Sequence, residues 1–356
     1  MRPPIELGEA PAQAVLDGAL GLALATGVPL RLPSPLSGAD LLVALAAVKL
    51  GGDPAAVDAA RELLSRPGAE LSLPHPRAGL HVLDLPAPGA VARGLCTLVW
   101  PLALLGKPSE LRLRGPNHCE GAPTFHDLRL GWVPLAALFG LKLSVDLTQT
   151  GFATDEGEMV ATLDPAPALT PLHLVHRGIL RQVSIVAAVA GGRHEAALEA
   201  AGQVVRALRR QGVIAEAERV PLPATQGRSR WAITATAEFE HSVVSVSEVG
   251  PAPSPGNTDA VAIGDRVAGR LAQFLQGRGA VDSGTSERLL LPSFLCAAGL
   301  GARAGTPPSC HYTTSEVTSP LLELATIARR ALAVRAVVDG AQGDEGVIVV
   351  APSGAP

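Results

Sequence analysis

ALATGVPLRLPSP (Ala23–Pro35) and LALLGKPSELRLRGP (Leu102–Pro116) carry one pattern twice. Each leaves an apolar run of helical spacing, turns at a glycine, alternates as a strand does, and ends in a Pro loop. The helical runs are Pro11–Gly27 and Gly89–Leu105, and the strands are Val28–Leu32 and Glu110–Gly115. A second helix pattern follows in each copy, over Gly38–Leu50 and Phe125–Phe139. Strand-like stretches close the units, at Ala69–Leu73 and Gly79–Leu83, then at Leu141–Gln149 and Glu158–Leu163. Such an echo is an internal duplication, and it decides the fold.

A third copy begins with a helix over Ser286–Gly299. Its Pro/Ser loop is TPPSCHYTTSEVTS, Thr306–Ser319, followed by a helix around Leu321–Leu332 and strands at Val334–Val338 and Gly346–Val350. The pattern puts His311 on a loop whose counterparts are Pro33–Ser37 and Pro116–Thr124. Three units around an approximate threefold axis would bring these loops to one face. Residues 179–278 do not fit the repeat. They read as a strand (Ile179–Gly191), a helix (His194–Gln211), two hairpin strands (Arg230–Phe239 and His241–Val249) and a helix (Gly256–Leu275), with a joint at Pro251–Asn257. The expected architecture is mixed α/β (α+β). A large domain, 1–178 with 279–356, holds three helix-pair-on-sheet repeats, and 179–278 is a smaller inserted α/β domain.

With 356 residues, 47% of them hydrophobic and 17% charged, the chain is long enough for two domains and too apolar for disorder. Its net charge of -4 argues against coating long nucleic acid, while leaving room for a local Arg site at an end. Aromatics at 3% leave few platforms for stacking bases. Cys96, Cys119, Cys296 and Cys310 form no CxxC pair, which fits a reducing compartment. No stretch is long and clean enough to span a bilayer, so a cytoplasmic protein is expected, of undetermined oligomeric state.

Motif by motif, a P-loop is absent, and so are GxSxG and Lys-x-Asp-Gly. The lysines Lys49, Lys107 and Lys142 are poor candidates for a nucleotidylated nucleophile. A neutral imidazole attacks phosphorus near pH 7, which makes His311 a candidate for phosphoryl or nucleotidyl chemistry. The plainer reading, a surface His near a helix cap, stays open. His118-Cys119 with Cys310-His311 could supply zinc ligands, but adjacent residues in both pairs make that geometry awkward. Ser309, Thr313, Thr314 and Ser315 read better as helix-capping hydroxyls than as nucleophiles.

Together the PSCH block, Pro308–His311 with Thr314-Ser315, the block Glu287-Arg288-Leu289-Leu290-Leu291-Pro292, and Leu95-Cys96-Thr97-Leu98-Val99 resemble the RNA 3'-terminal phosphate cyclases. Gly151-Phe152 and Gly157-Glu158 fit the same family. The likeness implies three repeats with one insert, and a reaction in which His311 takes AMP from ATP. AMP then passes to a terminal 3'-phosphate of RNA, and the 2'-OH closes a 2',3'-cyclic end. It also implies ATP with Mg2+ or Mn2+ as cofactors, RNA 3' ends as partner, and Glu9 as a metal ligand. Nucleotide contacts fall on Glu9, Gln13, Pro123, Asp127, Glu287, Arg288 and Thr314. Departures accompany it: EAPAQAVL stands where the family has EGGGQILR, Leu16 replaces an Arg, and Glu287-Arg288 replace Asp-Gln. The PPxDF carboxylate is displaced to Asp127 or replaced by His126. The alternative is a non-catalytic RNA-binding scaffold of the same fold. An enolpyruvyl-transfer enzyme shares the repeated unit but calls for more lysines than this chain has.

Overall fold

The computed structural model describes residues 3–153, 155–166, 168–191, 195–223, 230–251, 259–300 and 308–354. Four sheets are formed among them, each mixed in strand direction, with helices packed between and upon them. The molecule is thus of the mixed α/β class.

Strands Ile5–Glu6, Leu30–Leu32 and Ala69–Leu71 make the first sheet, in that order. The first two run parallel, which requires a crossover, here the helix Gln13–Thr26. That helix is apolar almost throughout, and Val15, Leu16, Leu20 and Leu24 are buried. Gly27, at φ 71°, ends it by donating its N–H to the Ala23 carbonyl at 2.8 Å, a left-handed cap that glycine takes without strain.

Order and spacing recur in the second sheet: Leu80–Asp84, Ser109–Arg114, Glu158–Asp164, Lys142–Gln149. Helix Ala90–Ala103 is its parallel crossover. Along Ser109–Arg114, Leu111 and Leu113 go inward while Arg112 and Arg114 stay out, the period-two pattern that the sequence shows. The third sheet runs Val334–Asp339, Gly346–Pro352, Cys310–Thr314, His173–Leu174. Against it lie the helices Ser283–Ala297 and Ser319–Ala331.

Residues 180–249 alone build the fourth sheet, ordered Glu216–Pro221, Leu180–Ala190, Arg230–Phe239, Val243–Val249. Helices Glu195–Arg209 and Ala260–Gln276 cover it and bury Ala197, Val204, Ile263 and Leu271 with the sheet residues in a core of their own. Most of the remaining buried residues belong to one larger core.

Several elements differ from expectation. A helix, Pro54–Leu64, follows the Gly51-Gly52 stop. Asp53 caps it by accepting from the Ala55 N–H at 3.0 Å, with Pro54 at the first helical position, so the same residues that end one helix start the next. Phe125–Phe139 is not one α-helix. It begins as the turn Phe125–Asp127, widens to a π-helical turn over Leu128–Trp132, and resumes at Val133–Ala137. Gly131 lies in the wide turn, where an added Cβ would stand 2.6 Å from Ser245 Cβ. His311 is on the strand Cys310–Thr314, not on a loop; the loop proper runs from Ser315 to the cap Thr318. All of the Pro251–Asn257 joint but Pro251, together with His194, Thr306 and Pro307, lies outside the described residues.

Candidate active site

Three helices converge at their first turns. Gln13–Thr26 brings Gln13 and Asp17, Ala90–Ala103 brings Arg93 and Cys96, and Ser283–Ala297 brings Glu287 and Arg288. The last helix is held by Asp282, whose Oδ1 accepts from the Thr285 N–H at 2.9 Å. With Glu120–Pro123 these groups enclose a cavity of about 340 Å³. A second cavity of about 610 Å³ adjoins it and shares Pro123, Gly284 and Arg288. Asp127, Asp282, Ser315 and Glu316 line this second space. Ser245, Ser247, Arg270 and Gln273 line it too, so residues of the fourth sheet and its helix contribute to its wall.

Charge is unevenly distributed. Arg93 forks onto Asp17, Nη2 to Oδ1 at 2.7 Å and Nε to Oδ2 at 2.9 Å, and its Nη1 lies 2.7 Å from Asp40 Oδ1. Burial pushes the Asp17 carboxyl up, against the lowering pull of Arg93. Arg288 has no ion pair among the described residues. Burial would lower its pKa, yet it is raised, because Cys96, Asp127, Asp282 and Glu287 surround it. Asp127 is pushed up to about 6 by burial, offset in part by Arg288 and by a hydrogen bond from Ser245. The Cys96 thiol is pushed up to about 12, also by burial, so it is neutral.

Of the residues singled out in the sequence, Gln13, Pro123, Glu287 and Arg288 line the smaller cavity. Pro123, Asp127 and Arg288 line the larger. Glu287 is also a brace: its Oε1 accepts from the Thr318 hydroxyl at 2.6 Å. Thr314 is buried, its hydroxyl engaged by Ser286 Oγ and the Glu316 carbonyl, both at 3.0 Å. Glu9 is exposed in the turn after Ile5–Glu6 and lines neither cavity.

His311 lines neither cavity either. Its strand alternates: Cys310, Tyr312 and Thr314 are buried on one face, while His311 and Thr313 are half-buried on the other. It stands between Val349 and His173 in the sheet, and its N–H donates to the Leu172 carbonyl at 2.7 Å. His118 and His126 are buried, with pKa values pulled down by burial to about 3 and about 4, so both are neutral. Among the described residues no three His, Cys, Asp or Glu groups converge to hold a metal, and the four cysteines are unpaired.

Residues 36–338 match the family RNA 3'-terminal phosphate cyclase. The chain belongs to that family. It is similar to the RNA 3'-terminal phosphate cyclase of Ectopseudomonas mendocina, 26% identical over 312 residues, covering 85% of this chain and 87% of that one. It is also similar to the one of Nostoc punctiforme, 27% identical over 310 residues, covering 79% and 82%.

Asp17, Asp40 and Arg93 form a charge cluster beside the smaller cavity that no sequence motif marks. The signal was present: one Asp and one Arg stand alone in otherwise apolar helices, GALGLAL after Asp17 and AVA before Arg93. Isolated charges at such places are buried in pairs or not at all. No helix among the described residues is long and apolar enough to cross a membrane.

Proposed function

We propose that this chain converts an RNA 3'-phosphate end into a 2',3'-cyclic phosphate, using ATP, in the cleft around Arg288. The observation that carries the reading is the place of Arg288: a cation with no ion pair among the described residues, in the wall common to two cavities. Both spaces are of a size that takes a small ligand. Guanidinium binds phosphate in a fork, which suits a terminal phosphate. A phosphate monoester lacks a good leaving group, and AMP supplies one to the 2'-OH. The names of the family and its relatives agree with this chemistry.

Part of the proposal is the three-unit architecture, with 179–278 as an insert. It is supported by three sheets drawn from 5–174 and 310–352 and a fourth made by 180–249 alone. No protein cage for a metal is built among the described residues, and Glu9 stands apart, so Mg2+ or Mn2+ would arrive on the triphosphate. The finer assignment, AMP carried by His311, is part of the same proposal and rests on the PSCH block, Pro308–His311.

That same observation favours a second reading, an RNA-end-binding scaffold without turnover. One assay separates them. The protein is incubated with a 3'-phosphorylated RNA, ATP and a divalent metal, and the end is tested for resistance to phosphatase. A resistant, cyclic end with equimolar AMP supports the enzyme. RNA bound but unchanged supports the scaffold.

A further inference from the structure

Resting on the reading above, we infer that Arg177 is a positioning residue for the reaction. One guanidinium clasps the two chain crossings between the larger core and the fourth-sheet unit, and so sets the wall that this unit lends to the larger cavity. The chain enters the unit at the strand Leu180–Ala190 and leaves it after the helix Ala260–Gln276. Arg177 stands at the entry. Its Nη1 donates to the main-chain oxygens of Phe274 at 2.8 Å and Gly279 at 3.4 Å, and its Nη2 to those of Leu275 at 2.8 Å and Gly277 at 2.7 Å.

All four acceptors belong to the exit, about a hundred residues along the chain. Phe274 and Leu275 lie in the last turn of the helix, where carbonyls lack intrahelical partners and carry the negative end of the dipole. The guanidinium is 4.8 Å from the ring centre of Phe239 and 5.0 Å from that of Phe274, and stacking on these rings holds its plane. An ammonium, with three protons and no flat face, cannot make this set of contacts.

On the side of the larger core, one hydroxyl ties the same two crossings. Thr313 donates to the Val175 carbonyl at 3.0 Å and accepts from the Ala280 N–H at 2.9 Å. Glu345 Oε1 accepts from the Arg278 N–H at 2.5 Å. Phe152 also packs with Val186, Ala188 and Ala232 of the fourth sheet, but apolar contact is non-directional. The unit has a core of its own, so the polar ties govern where it stands rather than whether it folds.

What rides on that placement is the cleft. Arg270, Gln273 and Phe274, in the last turns of the helix that Arg177 holds, line the larger cavity, as do Ser245 and Ser247. Among the described residues, none of 179–278 lines the smaller cavity. A displaced unit therefore reshapes one space and spares the other. That asymmetry separates positioning from plain stabilisation, since a damaged fold would spoil both.

The test compares wild type, Arg177→Ala and Arg177→Lys in kcat and in KM for ATP and for a 3'-phosphorylated RNA, with helix content followed by circular dichroism. In the alanine variant KM for one substrate should rise about tenfold or more while the other stays within about twofold, at unchanged helix content. The lysine variant should resemble the alanine variant more than wild type. Guanidinium chloride, too dilute to denature, should restore the alanine variant in part, and sodium chloride at equal strength should not. Cyclisation by both variants with wild-type constants would overturn the role of Arg177 and leave the cyclisation reading intact. Equal losses toward both substrates in step with lost helix content would overturn it too, because Arg177 would then serve folding alone. Absence of cyclic product from the wild type would remove the cyclisation reading, and this role with it.

Discussion

Tyr312 donates its hydroxyl to the main-chain oxygen of Ser286 at 3.1 Å, inside the core. The bond ties the strand Cys310–Thr314 to the first turn of the helix that carries Arg288. Because strand side chains alternate, it also fixes His311 on the other face. Removing the hydroxyl leaves a buried carbonyl without that donor. Tyr312→Phe should therefore cost about 1 kcal/mol, read from urea unfolding at unchanged slope. No change in midpoint would show the bond to be idle.

Arg93 and Asp17 make a forked charge pair at the cleft, with side chains only 10% and 18% exposed. Breaking one partner strands the other in a desolvated place. Arg93→Ala should cost about 3–5 kcal/mol, and Arg93→Lys less, because a point charge cannot fork. A loss below about 1 kcal/mol for the alanine variant would mean that water reaches Asp17 freely.

Asp127 gives a stability prediction with a definite sign. Its folded pKa, about 6, lies above the ordinary value of 3.8, so the folded state binds the proton more tightly. Stability from this group is therefore fully present below pH 3.8 and is lost as pH rises through about 6. Asn cannot ionise. Asp127→Asn should be more stable than wild type at pH 7.5 by about 1–3 kcal/mol, and equal to it near pH 4. A thermal-melt series over pH checks this; equal shifts at both ends would contradict it.

If the RNA end rests on Arg288 as proposed, the carboxylates beside it in the larger cavity limit how many phosphates the cleft holds. One or two phosphates should be neutralised, so the slope of log affinity against log salt should be about −0.7 to −1.4. A 3'-phosphorylated dinucleotide should bind about as well as a ten-mer. Steep salt dependence with affinity growing along the strand, by fluorescence anisotropy, would point to a basic track elsewhere.

Much of the helix and strand order was legible in the sequence because the elements punctuate themselves. Gly27 and Gly106 turn the chain after helices, and Leu111/Leu113 alternate with Arg112/Arg114. The site was less legible. CHYTT follows a Pro-rich lead that reads as a loop, although Cys310, Tyr312 and Thr314 show the inward face of a strand. Nothing local marks the wide turn at Leu128–Trp132, where Gly131 packs close to Ser245, more than a hundred residues away. Likewise nothing local says that Arg288 would face two cavities while Asp17 holds Arg93.

The role of Arg288 is tested most directly by timing the conversion of a 3'-phosphorylated RNA to its cyclic end, with ATP and Mg2+, for wild type and Arg288→Ala. If Arg288 forks onto the RNA phosphate as proposed, its loss should slow the variant by about 100-fold or more, with folding confirmed by circular dichroism. Equal rates in the two proteins, or no cyclic end from the wild type, would contradict the account.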